Sequence, residues 1–241
     1  MKRVPKILVV VPCWMESARV GALLDSAGLC APENISVSWL LVDDGSGVQE
    51  AAALTAVAAG RAEVLALPAH EGKGGALAAG FALGLERGFD SLAFLDADGA
   101  ASPAELGRAL ALLNLRPELS GVIGSRVMML GRRVSRSALR HYLGRVFATF
   151  VGLLFSTPTY DTQCGLKAFR ASAVRRHLNA PSDRRWVWDT QLLLAMLSAG
   201  EAVVELPIDW TEMGGSRLNL RDVPGMALAL LRFRFRDHGP A

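Results

Sequence analysis

Short apolar runs, most followed by polar or acidic residues and each separated from the next by a longer intervening segment, constrain this chain more than any other feature. The runs at 7–11, 38–42, 63–67, 91–95 and 121–124 have strand length. Between them the Ala- and Leu-rich pattern predicts helices over 18–27, 49–59, 74–87 and 103–113. The last has Ser102 as its N-cap and Pro103 at the first helical position. Strand followed by helix, repeated, predicts an α/β fold in which a mostly parallel central sheet carries helices on both faces. In such sheets ligands bind beyond the carboxyl ends of the strands. Three of those places hold Pro12, Cys13, Trp14 and Glu16; Asp43, Asp44, Gly45 and Ser46; and Asp96, Ala97 and Asp98.

The second half reads as an amphipathic stretch over 135–155, a polar segment over 160–167, a helix near 190–199, a strand over 203–206 and an apolar tail over 226–236 with Arg232, Arg234 and Arg236 interleaved. With 241 residues, 51% of them hydrophobic, and no linker or repeat, a single domain over 1–241 is expected and disorder is excluded. Three cysteines without a CxxC pair signal neither a zinc ribbon nor a disulfide framework, so reduced, cytoplasmic thiols are the natural reading. Pro12 and Glu16 interrupt the first apolar run before a signal-peptide core could form. No run approaches the roughly 18 apolar residues of a spanning helix.

Charge is segregated. The formal net charge is +3, yet no acidic residue lies between Glu118 and Asp161, where Arg126, Arg132, Arg133, Arg136, Arg140 and Arg145 fall. Such a stretch suits an anionic partner, or simply a solvated helix face.

Asp96 and Asp98, at i and i+2 of an extended chain, point to one side and suit a shared hard cation such as Mg²⁺ or Mn²⁺, completed by substrate phosphate oxygens. A turn that caps the next helix would need the same residues. Asp43 and Asp44, followed by Gly45, pose the same pair of alternatives. The stretch 70–75 (HEGKGG) opens a helix, a place where backbone N–H groups favour an anion, although it has neither the spacing of a Walker loop nor the position of a dinucleotide fingerprint. Arg133, Arg136 and Arg140 at i, i+3 and i+7 predict one cationic helix face, beside an apolar stripe of Leu139, Tyr142, Leu143, Val146, Phe147 and Phe150; this suits an interfacial helix or a core helix with an arginine edge.

In their order and spacing, VVPCWME at 10–16, VDDGS at 42–46, GKGGA at 72–76, DAD at 96–98, GSR at 124–126, DTQCGLK at 161–167 and GSR at 215–217 resemble the family 2 glycosyltransferases. Within that family the resemblance is to the polyprenyl-phosphate branch, with dolichyl-phosphate glucosyl- and mannosyltransferases. It implies a single GT-A domain with a donor half over about 1–125, an acceptor half over about 126–220 and an amphipathic basic segment over 221–241. It further implies that Pro12, Glu16, Asp43, Asp44, Lys73 and Asp96 serve the nucleotide sugar and that Asp96 and Asp98 hold Mg²⁺ or Mn²⁺. Asp161 matches the position of a catalytic base, Asp189 is a second candidate, and Arg126, Arg136, Arg140 and Arg217 would receive the acceptor phosphate or steady the diphosphate. This chain has Met15 and His70 where the family usually has Asn.

The expected reaction is inverting, metal-dependent transfer of a hexose, with UDP-glucose the favoured donor, to a polyprenyl phosphate at the inner face of the cytoplasmic membrane. Because the acceptor phosphate is already ionised near neutral pH, Asp161 is expected to orient more than to deprotonate. The alternatives are a soluble saccharide or hydroxyl acceptor, and a sugar-phosphate nucleotidyltransferase. A nucleic-acid partner is not expected, since no nucleic-acid motif accompanies the arginines.

Overall fold

The computed structural model describes residues 3–30, 32–214 and 220–236. Among the described residues nine strands are formed: β1 (Lys6–Cys13), β2 (Ser36–Asp43), β3 (Glu63–Ala66), β4 (Ser91–Leu95), β5 (Gly121–Ser125), β6 (Val134–Ser135), β7 (Leu166–Arg170), β8 (Val203–Pro207) and β9 (Trp210–Thr211). Seven make the main sheet in the order β3-β2-β1-β4-β7-β5-β8, while β6 and β9 pair separately. The helices are α1 (Ser17–Asp25), α2 (Val48–Ala58), α3 (Lys73–Glu86), α4 (Pro103–Leu115), α5 (Ala138–Phe155), α6 (Ala171–His177), α7 (Trp188–Ser198) and α8 (Val223–Arg236).

Apolar side chains on both faces of the strands build two cores. Val9, Val11, Leu41 and Leu95 face the helices α1, α2 and α4 on one side. On the other, Leu8, Val10, Leu40 and Phe94 pack against Leu77 and Phe81 of α3 and Leu192 and Leu193 of α7. Gly80 seats α3 tightly, because a Cβ there would lie 2.6 Å from Val10 Cγ1. Strand order reverses between β1, which leads outward to β2 and β3, and β4, which leads the other way. The switch point lies at their carboxyl ends, the place where α/β sheets bind ligands.

The second half departs from the sequence reading in three respects. Residues 166–170, partly read as a polar segment, form β7, which runs antiparallel to both β4 and β5. Lys167 masks the strand in the sequence, although Leu166, Ala168 and Phe169 beside it are wholly buried. Second, α5 begins only at Ala138, where the Ser137 hydroxyl accepts from Arg140 N at 3.4 Å. Arg133 and Arg136 therefore precede the helix, and only Arg140 of the predicted cationic face lies on it. The reason is that Val134 and Ser135 are extended and paired with Trp210 and Thr211. Third, α5 and α8 have a core of their own, in which Phe147, Val151, Met226, Leu230 and Phe233 meet Leu194 of α7.

Candidate active site

A cavity of about 1020 Å³ opens at the carboxyl ends of the central strands. Of the thirteen residues to which the family resemblance gives a site role, all but Asp43 and Arg217 line it. Asp43 lies inside its own turn, accepting from Ser46 N at 3.3 Å. Arg217 falls outside the described residues.

The carboxylate of Asp44 ties the loop after β3 to the end of β2. It accepts from Glu71 N at 2.8 Å and Gly72 N at 2.9 Å, and His70 Nδ1 lies 2.9 Å from Oδ2. Burial raises its pKa against the pull of those donors. Glu16 is paired with Arg19 at 2.6 Å, and the Trp14 ring lies 4.7 Å from that of His70.

The glycine-rich helix start does not present the open row of N–H groups that its sequence suggests. Gly72 N is spent on Asp44, Gly74 N donates to Arg185 O and Gly75 N to Arg184 O, both at 2.9 Å. The start of α7 packs so closely there that a Cβ on Gly74 would sit 2.4 Å from Trp188 Cβ. What the first turn of α3 offers the cavity is the side chain of Lys73.

Lys73 Nζ lies 2.6 Å from Asp96 Oδ1. Burial opposes its charge, but Asp96, Asp189 and Asp98 together hold its pKa above the ordinary lysine value. Asp96 is pushed up by burial and by Asp98, with Lys73 acting the other way. Its Oδ1 is buried, and Lys73 is the cation that offsets that burial. Asp98 Oδ1 accepts from Ala100 N at 3.0 Å. Among the described residues no cluster of three or more His, Cys, Asp or Glu has metal-binding geometry. Two hard carboxylates at a cavity wall nevertheless fit a Mg²⁺-like ion whose remaining ligands are water and phosphate oxygens.

Asp161 and Arg126 face each other in a two-pronged ion pair, with Nε to Oδ2 at 2.7 Å and Nη2 to Oδ1 at 2.8 Å. The Arg126 guanidinium carbon lies 5.0 Å from the Trp210 ring centroid. Burial disfavours the Asp161 charge, but Arg126 outweighs it and the carboxyl titrates at about 2, against an ordinary 3.8. A depressed carboxyl pKa stabilises the fold above the unfolded value and loses that contribution as pH falls through the folded one. Acid titration followed by circular dichroism is therefore expected to show about 2 kcal/mol of stability disappearing between pH 4 and pH 2, and Asp161→Asn should remove that dependence.

Asp189 is held by Lys167, whose ammonium is wholly buried and also donates to Cys164 O at 2.9 Å. Lys73 and Lys167 approach the Phe94 ring at the same 5.2 Å. Arg136 Nη2 lies 2.7 Å from His141 Nδ1, while its Nε is buried without a partner. Arg140 pairs with Glu212 at 2.9 Å. Two contributors went unmarked in the sequence. Glu205 on β8 accepts from Tyr160 N at 2.9 Å and Asp161 N at 2.7 Å, fixing the segment that carries Asp161. Lys167 is the other. Each is a charge flanked on both sides by apolar strand residues, and that is the signal that could have found both.

Comparison with known proteins follows the same outline. The family model for glycosyl transferase family 2 matches residues 8–178. A dolichyl-phosphate beta-glucosyltransferase of Trichomonas vaginalis is 31% identical over 92% of this chain and 69% of its own. One from Dictyostelium discoideum is 30% identical over 95% and 73%, and an undecaprenyl-phosphate mannosyltransferase of Micrococcus luteus is 29% identical over 89% and 88%. Among solved structures, glucosyl-3-phosphoglycerate synthase from Mycobacterium tuberculosis superposes with a TM-score of 0.73 at 16% identity, over 98% of this chain and 80% of its own. The sheet has the GT-A arrangement of that structure. With a family model spanning most of the chain and relatives at 30% identity or better over nine-tenths of it, the protein belongs to glycosyl transferase family 2.

Proposed function

We propose that this glycosyltransferase moves a hexose from a nucleoside-diphosphate sugar to a polyprenyl phosphate, with inversion at the anomeric carbon, and that UDP-glucose is the donor. The state of Asp161 carries the acceptor assignment. A hydroxyl acceptor requires a general base with a pKa near the working pH. Asp161, at about 2 and clasped by Arg126, has little affinity for a proton, and Asp189 is bound up with Lys167. A phosphate monoester, with its second pKa near about 6, arrives already ionised and needs no base. Its difficulty is repulsion by the donor diphosphate, which the guanidinium groups of Arg126 and Arg136 at the cavity wall offset. Asp161 then fixes the direction of Arg126.

On the donor side, Asp96 and Asp98 would hold Mg²⁺ or Mn²⁺, whose charge would counter that building on the departing diphosphate. The structural neighbour was crystallised with Mn²⁺ and UDP, which supports both choices. Lys73 is placed to exchange Asp96 for a phosphate oxygen. Asp44 and Glu16 lie at the nucleoside end, where Asp44 shapes the loop at 70–72. The names of the relatives support a polyprenyl-phosphate acceptor, and the glucosyltransferases among them favour glucose. Work on such an acceptor would place the protein at the inner face of the cytoplasmic membrane. Among the described residues no helix is long and apolar enough to cross one.

The test is product analysis. Nucleotide sugars are supplied with a short polyprenyl phosphate and with the corresponding alcohol. Release of nucleoside diphosphate and a glycosyl phosphate lipid is expected from the phosphate alone. Pyrophosphate as the product would identify a nucleotidyltransferase, and equal transfer to the alcohol or to a free saccharide would reject the phosphate acceptor.

A steric prediction follows at the donor end. A Cβ on Gly165 would lie 2.1 Å from Asp96 Oδ2. Gly165→Ala is expected to turn the Asp96 carboxylate aside and lower the transfer rate at least tenfold, while Gly28→Ala, with nothing within 4 Å, serves as the control in the same rate assay.

A further inference from the structure

We propose that the outer faces of α5 and α8 rest together on an anionic lipid bilayer, with the cavity mouth at the headgroup plane. This inference deepens the lipid-acceptor reading and rests on it for its purpose. The surface chemistry supplies the argument. Along α5, Leu139, Tyr142, Val146 and Leu153 recur at helical spacing and are exposed, Leu153 at 80%. Along α8, Leu228 and Phe235 are exposed, Phe235 at 74%, with Arg232 and Arg236 on the same side. The two helices form one body, since Arg234 Nε donates to Leu154 O at 3.1 Å, and Phe155 stacks on Phe233 with ring centroids 6.2 Å apart.

Soluble monomers rarely leave this many large apolar side chains in water on one pair of helices. Cationic amphipathic helices that lie in a membrane interface have this composition. Neither α5 nor α8 contains an acidic residue. Docking a second copy face to face would oppose arginine to arginine, whereas anionic headgroups complement both helices. Asp209 and Glu212 lie nearby but are engaged, Asp209 by Arg133 N and Arg132 and Glu212 by Ser137 N and Arg140. The face also reaches the site, because Leu139 of the exposed row on α5 lines the cavity. A polyprenyl chain could stay in the bilayer while its phosphate enters beside Arg126 and Arg136.

The test is flotation of the full chain with vesicles of phosphatidylcholine alone or with phosphatidylglycerol added, at low and high salt. Wild type is expected to bind the anionic vesicles at least tenfold better than the neutral ones, and less well in high salt. The triple variant Val146→Ser, Leu153→Ser, Phe235→Ser alters only exposed side chains outside the cavity lining. It should lose at least tenfold of that binding while keeping its melting temperature and its transfer to a short polyprenyl phosphate in solution. Wild type that ignores anionic vesicles, or a triple variant that floats as wild type does, overturns the proposal. So does a concentration-dependent dimer in sedimentation that the triple variant abolishes. If flotation behaves as expected but no nucleotide sugar yields a glycosyl phosphate lipid, the docking face stands and the acceptor assignment falls.

Discussion

Replacing Lys167 by methionine is expected to lower the free energy of unfolding by about 3–5 kcal/mol, because it strands the Asp189 carboxylate in the interior. Lys167 is completely buried and Asp189 nearly so, so water cannot replace the missing partner. The double variant Lys167→Met, Asp189→Leu removes both charges and should recover most of the loss, since an apolar pair of similar volume avoids the desolvation cost of the ions. Urea unfolding of the two single variants and the double measures the coupling. A single-variant cost below about 1 kcal/mol would mean that water reaches the pair and takes the place of the missing partner.

Asp98→Asn is expected to lower the transfer rate by about 10²–10³-fold, the usual cost of removing one group that stabilises developing charge in a reaction. Stability should hardly change, because an Asn oxygen can still accept from Ala100 N and the side chain is only half-buried. Asp96→Asn is a different experiment. It deprives Lys73 of its nearest counterion, so a loss of donor affinity is expected alongside the loss of rate. Initial rates at saturating donor with added Mn²⁺, together with thermal melts, separate the two effects. An Asp98→Asn enzyme of normal turnover would remove this residue from the charge-bearing machinery.

The rim at the ends of β1, β2 and β4 was legible because its residues follow apolar strands that announce themselves. Once β1, β2 and β4 are read, the positions of Pro12, Asp44 and Asp96 at one edge follow from topology. The second half was harder because its elements are set by pairings remote in sequence. β7 hides behind Lys167, whose charge looks foreign to a strand until Asp189 is brought up from 22 residues away. Helical spacing suggested that Arg133, Arg136 and Arg140 share a face, but strand pairing to residues 210 and 211 took the first two out of the helix. The glycine-rich start of α3 looked open to an anion for a similar reason, since its N–H groups are claimed by carbonyls more than a hundred residues on.

The reversed direction of β7 has a consequence for how the chain can be divided. Inserted between β4 and β5, it is, among the described strands, what joins those that carry the carboxylates to the strand that leads to Arg126. A fragment ending at residue 125 would keep the loops after β1, β2 and β4 yet expose the bare flanks of β4 and β5, an invitation to pair with other chains. Such a truncation should aggregate rather than bind donor, so the two halves of the enzyme are a single unit of folding.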